Sequence, residues 1–204
     1  MLMDILFKKF PTSMASLKSN SDDSSITALK QQLRRQLKQT RQTLDPHRRN
    51  QGSIQACEQL LEWIQSADLV LSFASIGSEI NLWHLNQNLA SEGRLALPRL
   101  VEGRLCLFRV AHLHHLEQHA WGFLEPKISH CGLVDFSHIN IALIPGLGFD
   151  LETKHRLGYG QGYYDRLLVS NYFHQTWGIG FLEQAVNNLP HTSHDIALNR
   201  VYLF

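Results

Sequence analysis

The period of the apolar positions changes along this 204-residue chain, and each change marks a different kind of element. In SSITALKQQLRRQLKQTRQTL, serines suited to capping precede Ile26, Leu29, Leu33 and Leu37 at three- and four-residue spacing, which predicts a helix packed along that stripe. Lys30, Arg34, Lys38 and Arg41 fall on the neighbouring stripe and predict a line of positive charge beside the packed edge. Ile54, Cys57, Leu61 and Ile64 mark a second helix over roughly 51–66. Short continuous apolar runs follow at 69–74, 94–98, 105–110, 141–145 and 177–181. Such runs predict strands covered on both faces, as in a mostly parallel sheet flanked by helices. Helices fit at 80–90 and about 162–171. Only VEGR and its flanks separate LALP from LCLFRV, too little for a helical crossover, so that pair is expected as an antiparallel hairpin. VYLF would add a last edge strand. The expected fold class is α/β, a single-domain three-layer α/β/α, Rossmann-like open sheet.

Composition narrows the classes of function. With 44% hydrophobic and 18% charged residues the chain is globular, and its formal charge of +1 gives little long-range attraction for nucleic acid or anionic lipid. A nucleic-acid module would have to rest on the seven Lys or Arg residues between 30 and 49, a patch without interleaved aromatics. Cys57, Cys106 and Cys131 are widely spaced and form no CxxC, which suggests buried thiols in a reducing compartment. No run approaches the ~18 apolar residues of a membrane span. The start of the chain makes a poor signal peptide, so a cytoplasmic protein without membrane association is expected. Residues 1–25 are expected as a flexible leader to a domain over 26–204, on the strength of the small polar residues at 11–25.

The densest chemistry lies in RLGYGQGYYDR, 156–166, soon after IALIPGLGFD. In an open α/β sheet the ligand cleft opens at the carboxyl ends of the strands, and both segments fall on that rim. Gly158, Gly160 and Gly162 bare the backbone so that its N–H groups can cradle phosphate at the start of the following helix, with Arg156 and Arg166 as bidentate partners. The spacing matches neither GxGxxG nor the P-loop, and a tight structural turn remains the alternative. Tyr163 and Tyr164 can stack on a planar ligand or fill core. Asp165 and Asp195 can hold a magnesium ion or act as caps. Asp150, at the end of GLGFD, reads better as a turn residue. Glu79 follows a strand and a glycine turn, hence the same rim, and Trp121 can wall a pocket. His112, His114, His115 and His119 lack the companions of a zinc site.

These blocks together, with SEIN, LALPRL, GFLEP and LPHTSHD in order, resemble the 5-formyltetrahydrofolate cyclo-ligase family over about residues 28–199, most specifically in RLGYGQGYYDR. The resemblance implies ATP-dependent closure of 5-formyltetrahydrofolate to 5,10-methenyltetrahydrofolate, with magnesium required. By motif, Lys30 and Arg34 match the nucleotide-contacting pair, and Arg156, Leu157, Gly158, Tyr159, Gly160, Gln161 and Gly162 match the phosphate loop, with Tyr164, Asp165 and Arg166 following. Asp165 and Asp195 match the carboxylates associated with magnesium. Glu79 matches the folate-ring acid, while Trp121, Tyr163 and Tyr164 resemble the pterin-side wall. Glu79, Arg156, Tyr163 and Asp165 are the expected catalytic group. Gln161 and Phe73 depart from residues frequent in the family. A folate-like small molecule is the expected partner, not nucleic acid, and the chain is expected as a monomer or at most a weak dimer. A relative acting on another small amide is the rival enzyme.

Overall fold

The computed structural model describes residues 22–170 and 173–204. Most of the expected leader therefore lies outside the described residues, while 22–25 already belong to the first helix. That helix, α1, spans Asp22–Thr43. The second, α2, spans Pro46–Trp63: Pro46 sits at its first position and the Asp45 carboxylate accepts from the N–H groups of His47 and Arg48. A proline needs no intrahelical donor there, and a capping carboxylate satisfies two orphan donors, so the start is fixed locally.

Seven strands then form one sheet in the order β11-β10-β7-β1-β2-β3-β6. They are β1 (Val70–Leu71), β2 (Leu95–Val101), β3 (Arg104–Arg109), β6 (Gly132–Leu133), β7 (Ile141–Ile144), β10 (Gln175–Gly180) and β11 (Arg200–Leu203). The pairings from β11 through β2 are parallel, whereas β3 and β6 add antiparallel at one side. The hairpin between β2 and β3 turns through Glu102 and Gly103, both at positive φ, as a tight two-residue connection requires. The sheet is thus the mixed, mostly parallel one expected, with the VYLF segment on its other edge.

Alternate residues of the strands feed opposite faces. Val70, Leu95, Leu97, Leu143 and Ile179 pack with Ala56, Leu60, Leu85 and Leu89 from α2 and from α3 (Trp83–Ser91). Leu71, Ala96, Ala142 and Ile144 pack on the other face with Leu167 and Leu168 of α4 (Tyr163–Ser170). This produces the three layers.

Two expected packing positions are corrected, while Leu33, Leu37, Cys57, Leu61 and Ile64 pack as expected. Ile54 is 50% exposed and Leu29 is 47% exposed. In α2 the buried line is Ser53, Ala56, Cys57 and Leu60. In α1 the inward line is Lys30, Leu33, Arg34, Leu37 and Arg41, and Lys38 points to solvent. Leu37 anchors that line against Leu147, Leu157 and Leu189, above the carboxyl ends of the strands. Lys30, Arg34 and Arg41 of the basic stripe therefore face the protein, which is the opposite of what an oligonucleotide-binding face needs.

Two short pairs complete the rim: β4 (Leu116–Gln118) with β5 (Leu124–Pro126), and β8 (Gly148–Phe149) with β9 (Arg156–Leu157). Arg99 of β2 ties down the first pair, reaching Glu117 at 2.5 Å and Glu125 at 3.2 Å. Of the thiols, Cys57 and Cys131 are buried and Cys106 is half-buried, all three free. Among the described residues no helix is long and apolar enough to cross a membrane.

Candidate active site

The Gly-rich segment leaves β9 and enters α4 on the rim, where α1 lies across it. Gly160 and Gly162 have φ of +98° and +64°, conformations that side chains rarely adopt. The space beside each loop glycine is taken by a guanidinium. A Cβ added at Gly158 would lie 2.8 Å from Arg156 Nη1, one at Gly160 3.4 Å from Arg34 Cζ, and one at Gly162 3.0 Å from Arg166 Nη1. Three arginines thus back three bare peptides. Arg34 Nε also donates to Gly158 O at 2.9 Å, and Arg166 Nη1 donates to Gln161 O at 3.0 Å.

Arg156 is buried, bonded through Nη2 to Asp165 Oδ1 at 2.9 Å, and its buried Nε has no hydrogen-bond partner. A buried guanidinium N–H without an acceptor carries the cost of desolvation, which an incoming oxyanion would relieve. That orphaned donor, together with the glycine cradle, fits a phosphate chain. Lys30 Nζ pairs with Asp195 Oδ2, which also accepts from Thr192 N and Oγ1. Burial opposes the Asp195 charge, but these bonds outweigh it and hold its pKa below the usual carboxylate value.

Asp165 and Asp195 therefore sit in separate ion pairs, each held through one oxygen among the described residues. Among those residues no group of three or more His, Cys, Asp or Glu is placed to hold a metal ion. Magnesium needs no such cage, because it takes one or two carboxylates and completes its shell with phosphate oxygens and water. The oxygen-only donors beside the cradle fit that habit. The histidines near residue 115 form a ring cluster, with His114 and His115 4.4 Å apart.

Glu79 stands in the turn after β1. Its Oε2 accepts from Ile76 N at 3.0 Å and its Oε1 from Tyr159 Oη at 2.7 Å. Burial is the main influence and raises its pKa, only partly offset by Tyr159 and Arg41. Arg41, 4% exposed, donates through Nε to Ser78 Oγ, through Nη1 to Gly146 O and through Nη2 to Tyr159 Oη. The charge pattern placed Arg41 on α1, but nothing in one dimension distinguished it from solvated neighbours. Its role depends on three segments meeting it.

The aromatic candidates separate. Tyr164 packs into the core beneath α4, with Arg156 5.6 Å above its ring, while Tyr163 lies under Arg166 at 5.0 Å. Trp121, 65% exposed, stands at the turn between β4 and β5 beside His119 and Phe123. Asp150 has the turn role expected of it, accepting from Glu152 N and Thr153 N through Oδ1 and from Leu189 N through Oδ2.

Comparison with known proteins bears on the family and the fold. Residues 26–203 match the model of the 5-formyltetrahydrofolate cyclo-ligase family. The chain is 29% identical over 182 residues to a 5-formyltetrahydrofolate cyclo-ligase of Haemophilus influenzae, covering 84% of this chain and 96% of that one. The Saccharomyces cerevisiae 5-formyltetrahydrofolate cyclo-ligase is 26% identical over 202 residues, covering 84% and 93%. In three dimensions it is similar to the 5,10-methenyltetrahydrofolate synthetase of Aquifex aeolicus, with a TM-score of 0.76, 28% identity and coverage of 85% of this chain and 88% of that chain.

Proposed function

This chain belongs to the 5-formyltetrahydrofolate cyclo-ligase family, and from that premise we propose how its residues divide the family's reaction. The protein converts 5-formyltetrahydrofolate to 5,10-methenyltetrahydrofolate with ATP, releasing ADP and phosphate. The observation that carries the division is the loop at Arg156–Gly162, backed by three guanidinium groups and hydrogen-bonded through Tyr159 to Glu79.

A formamide carbon is a poor electrophile and its oxygen a poor leaving group. The formyl oxygen therefore attacks the γ-phosphorus of ATP, and ADP departs. N10 then attacks the activated carbon, loses its proton, and phosphate leaves as the five-membered ring closes. Phosphoryl transfer needs alignment and neutralisation of charge on the equatorial oxygens. Arg34, Arg156, Arg166 and the amides of Leu157, Gly158, Tyr159, Gly160, Gln161 and Gly162 supply donors, with Lys30 at the edge. Asp165 and Asp195 would hold the magnesium ion, which when bound neutralises phosphate oxygens. Glu79 receives N–H groups of the folate ring, with Tyr163 and the exposed Trp121 as its aromatic wall, while Tyr164 supports α4 from the core. Ring closure is intramolecular, so these contacts act by holding the reacting atoms near one another. A cytoplasmic, monomeric enzyme is the setting this reading takes.

The test is the near-ultraviolet absorbance of the methenyl product on mixing protein, 5-formyltetrahydrofolate, ATP and magnesium. A rise that requires every component is expected. No rise from folded protein that binds the nucleotide would overturn the substrate assignment.

A further inference from the structure

Glu79 is closed off in this structure. Both its oxygens are engaged and its side chain is 6% exposed. Glu79 itself lines a small hollow with Arg41, Phe73, Ile80, Pro145, Gly146 and Gln184. The group in front is the phenol of Tyr159, which donates to Glu79 Oε1 and accepts from Arg41 Nη2. Half the surface of Tyr159 faces solvent, so its ring can swing outward without leaving a hole in the core.

Tyr159 is also part of the phosphate loop. Gly158 before it is bonded through its carbonyl to Arg34, and Gly160 after it lies against the same guanidinium at positive φ. An anion drawn to Arg34 competes with the Gly158 carbonyl for that guanidinium, and an anion drawn to the loop amides pulls on the peptides flanking Tyr159. Arg41 lies seven residues after Arg34 on the same face of α1. One helix face therefore holds both the phosphate side and the Glu79 side of this residue.

We propose that Tyr159 is a positioning residue coupling the nucleotide to the folate: its phenol holds Glu79 against Arg41 in the unliganded enzyme, and triphosphate binding at Arg34 and the loop releases it. This rests on the cyclo-ligase reading for the identity of the two ligands. By linkage, whatever factor the nucleotide adds to folate affinity, folate adds to nucleotide affinity.

The experiment is a pair of calorimetric titrations of the full chain with 5-formyltetrahydrofolate, with and without a saturating non-hydrolysable ATP analogue and magnesium. In the wild type the analogue should tighten folate binding at least about fivefold. In Tyr159→Phe, which keeps the ring and loses the hydroxyl, that factor should fall towards one, with tighter folate binding in the absence of nucleotide. Tyr159→Leu serves the same comparison should the first variant fail to fold. An unchanged coupling factor in a folded variant, or none in the wild type, overturns the proposal. Weaker folate binding to Tyr159→Phe without nucleotide also overturns it, because the phenol would then belong to the folate site. Wild-type turnover in the absorbance assay is read alongside: turnover with unaltered coupling in the variant removes only the role of Tyr159, whereas coupled binding without turnover removes the reaction and leaves that role standing.

Discussion

Asp165 and Asp150 show how one residue type serves two purposes within sixteen positions. Asp165 lies in the first turn of α4 and bonds one nitrogen of a buried arginine whose Nε has no partner. Its place beside the glycine cradle suits a metal ligand. We expect Asp165→Asn to lower turnover about 100-fold, with the magnesium requirement shifted to higher concentration and the thermal midpoint little changed. Turnover measured across a magnesium series checks this, and a near-wild-type series removes Asp165 from the mechanism. Asp150 instead satisfies three backbone N–H groups. Burial raises its pKa, but those bonds prevail and hold it below the ordinary 3.8. A carboxylate so depressed contributes stability that is complete above its unfolded pKa and lost as pH falls through the folded one. Asp150→Asn should therefore cost about 2–3 kcal/mol at neutral pH, and the gap from wild type should narrow in urea melts below about pH 4.

At the scale of elements, α1 is the instructive case. Its leucines have helical spacing whichever way the helix is turned, and the sequence offers a leucine stripe and a basic stripe side by side. The inward line combines them, because the rim beneath supplies acceptors for Lys30, Arg34 and Arg41 and apolar contacts for Leu37 and, at its margin, Leu33. Buried charges need partners, and here the partners come from residues 37 to 165 positions away. Leu37→Ala should then cost about 2–4 kcal/mol, while Leu29→Ala should change stability by no more than about 0.5 kcal/mol. Equal losses in denaturant titrations would return α1 to its expected orientation.

Across the whole molecule, one ring joins sheet and rim. Phe149 is fully buried, and a Cβ at Gly146, Gly178 or Gly180 would lie 2.8 Å from its ring. Gly146 of PGLGF and both glycines of WGIGF thus make room for an aromatic wedge between β7 and β10. Phe149 O also accepts from Val186 N, tying the segment after β10 to the same place. Gly178→Ala should overpack this junction by about 1–3 kcal/mol and reduce turnover as well as the unfolding midpoint, although Gly178 touches no expected ligand. A stability loss with unchanged turnover would show that the rim tolerates movement of the wedge.

Strands β1, β2, β3, β7, β10 and β11, the hairpin at VEGR, the positions of α3 and α4, and the clustering of Glu79 with the Gly-rich segment on one rim were legible in the sequence, whereas the two- and three-residue strands β4, β5, β6, β8 and β9 were too short to show a pattern. Each depends on local periodicity or on a rule about where α/β sheets open. The exposure of Leu29 and Ile54 was not legible, nor the burial of Arg41, the separate ion pairs of Asp165 and Asp195, or the bond from Tyr159 to Glu79. Those depend on contacts between residues far apart in the chain, where a charged side chain is accepted inside only if the folded surroundings complete its hydrogen bonds. Local pattern determined the elements and the kinds of group at the rim; tertiary packing decided which of those groups meet, because pairing energies between distant residues leave no period in the sequence.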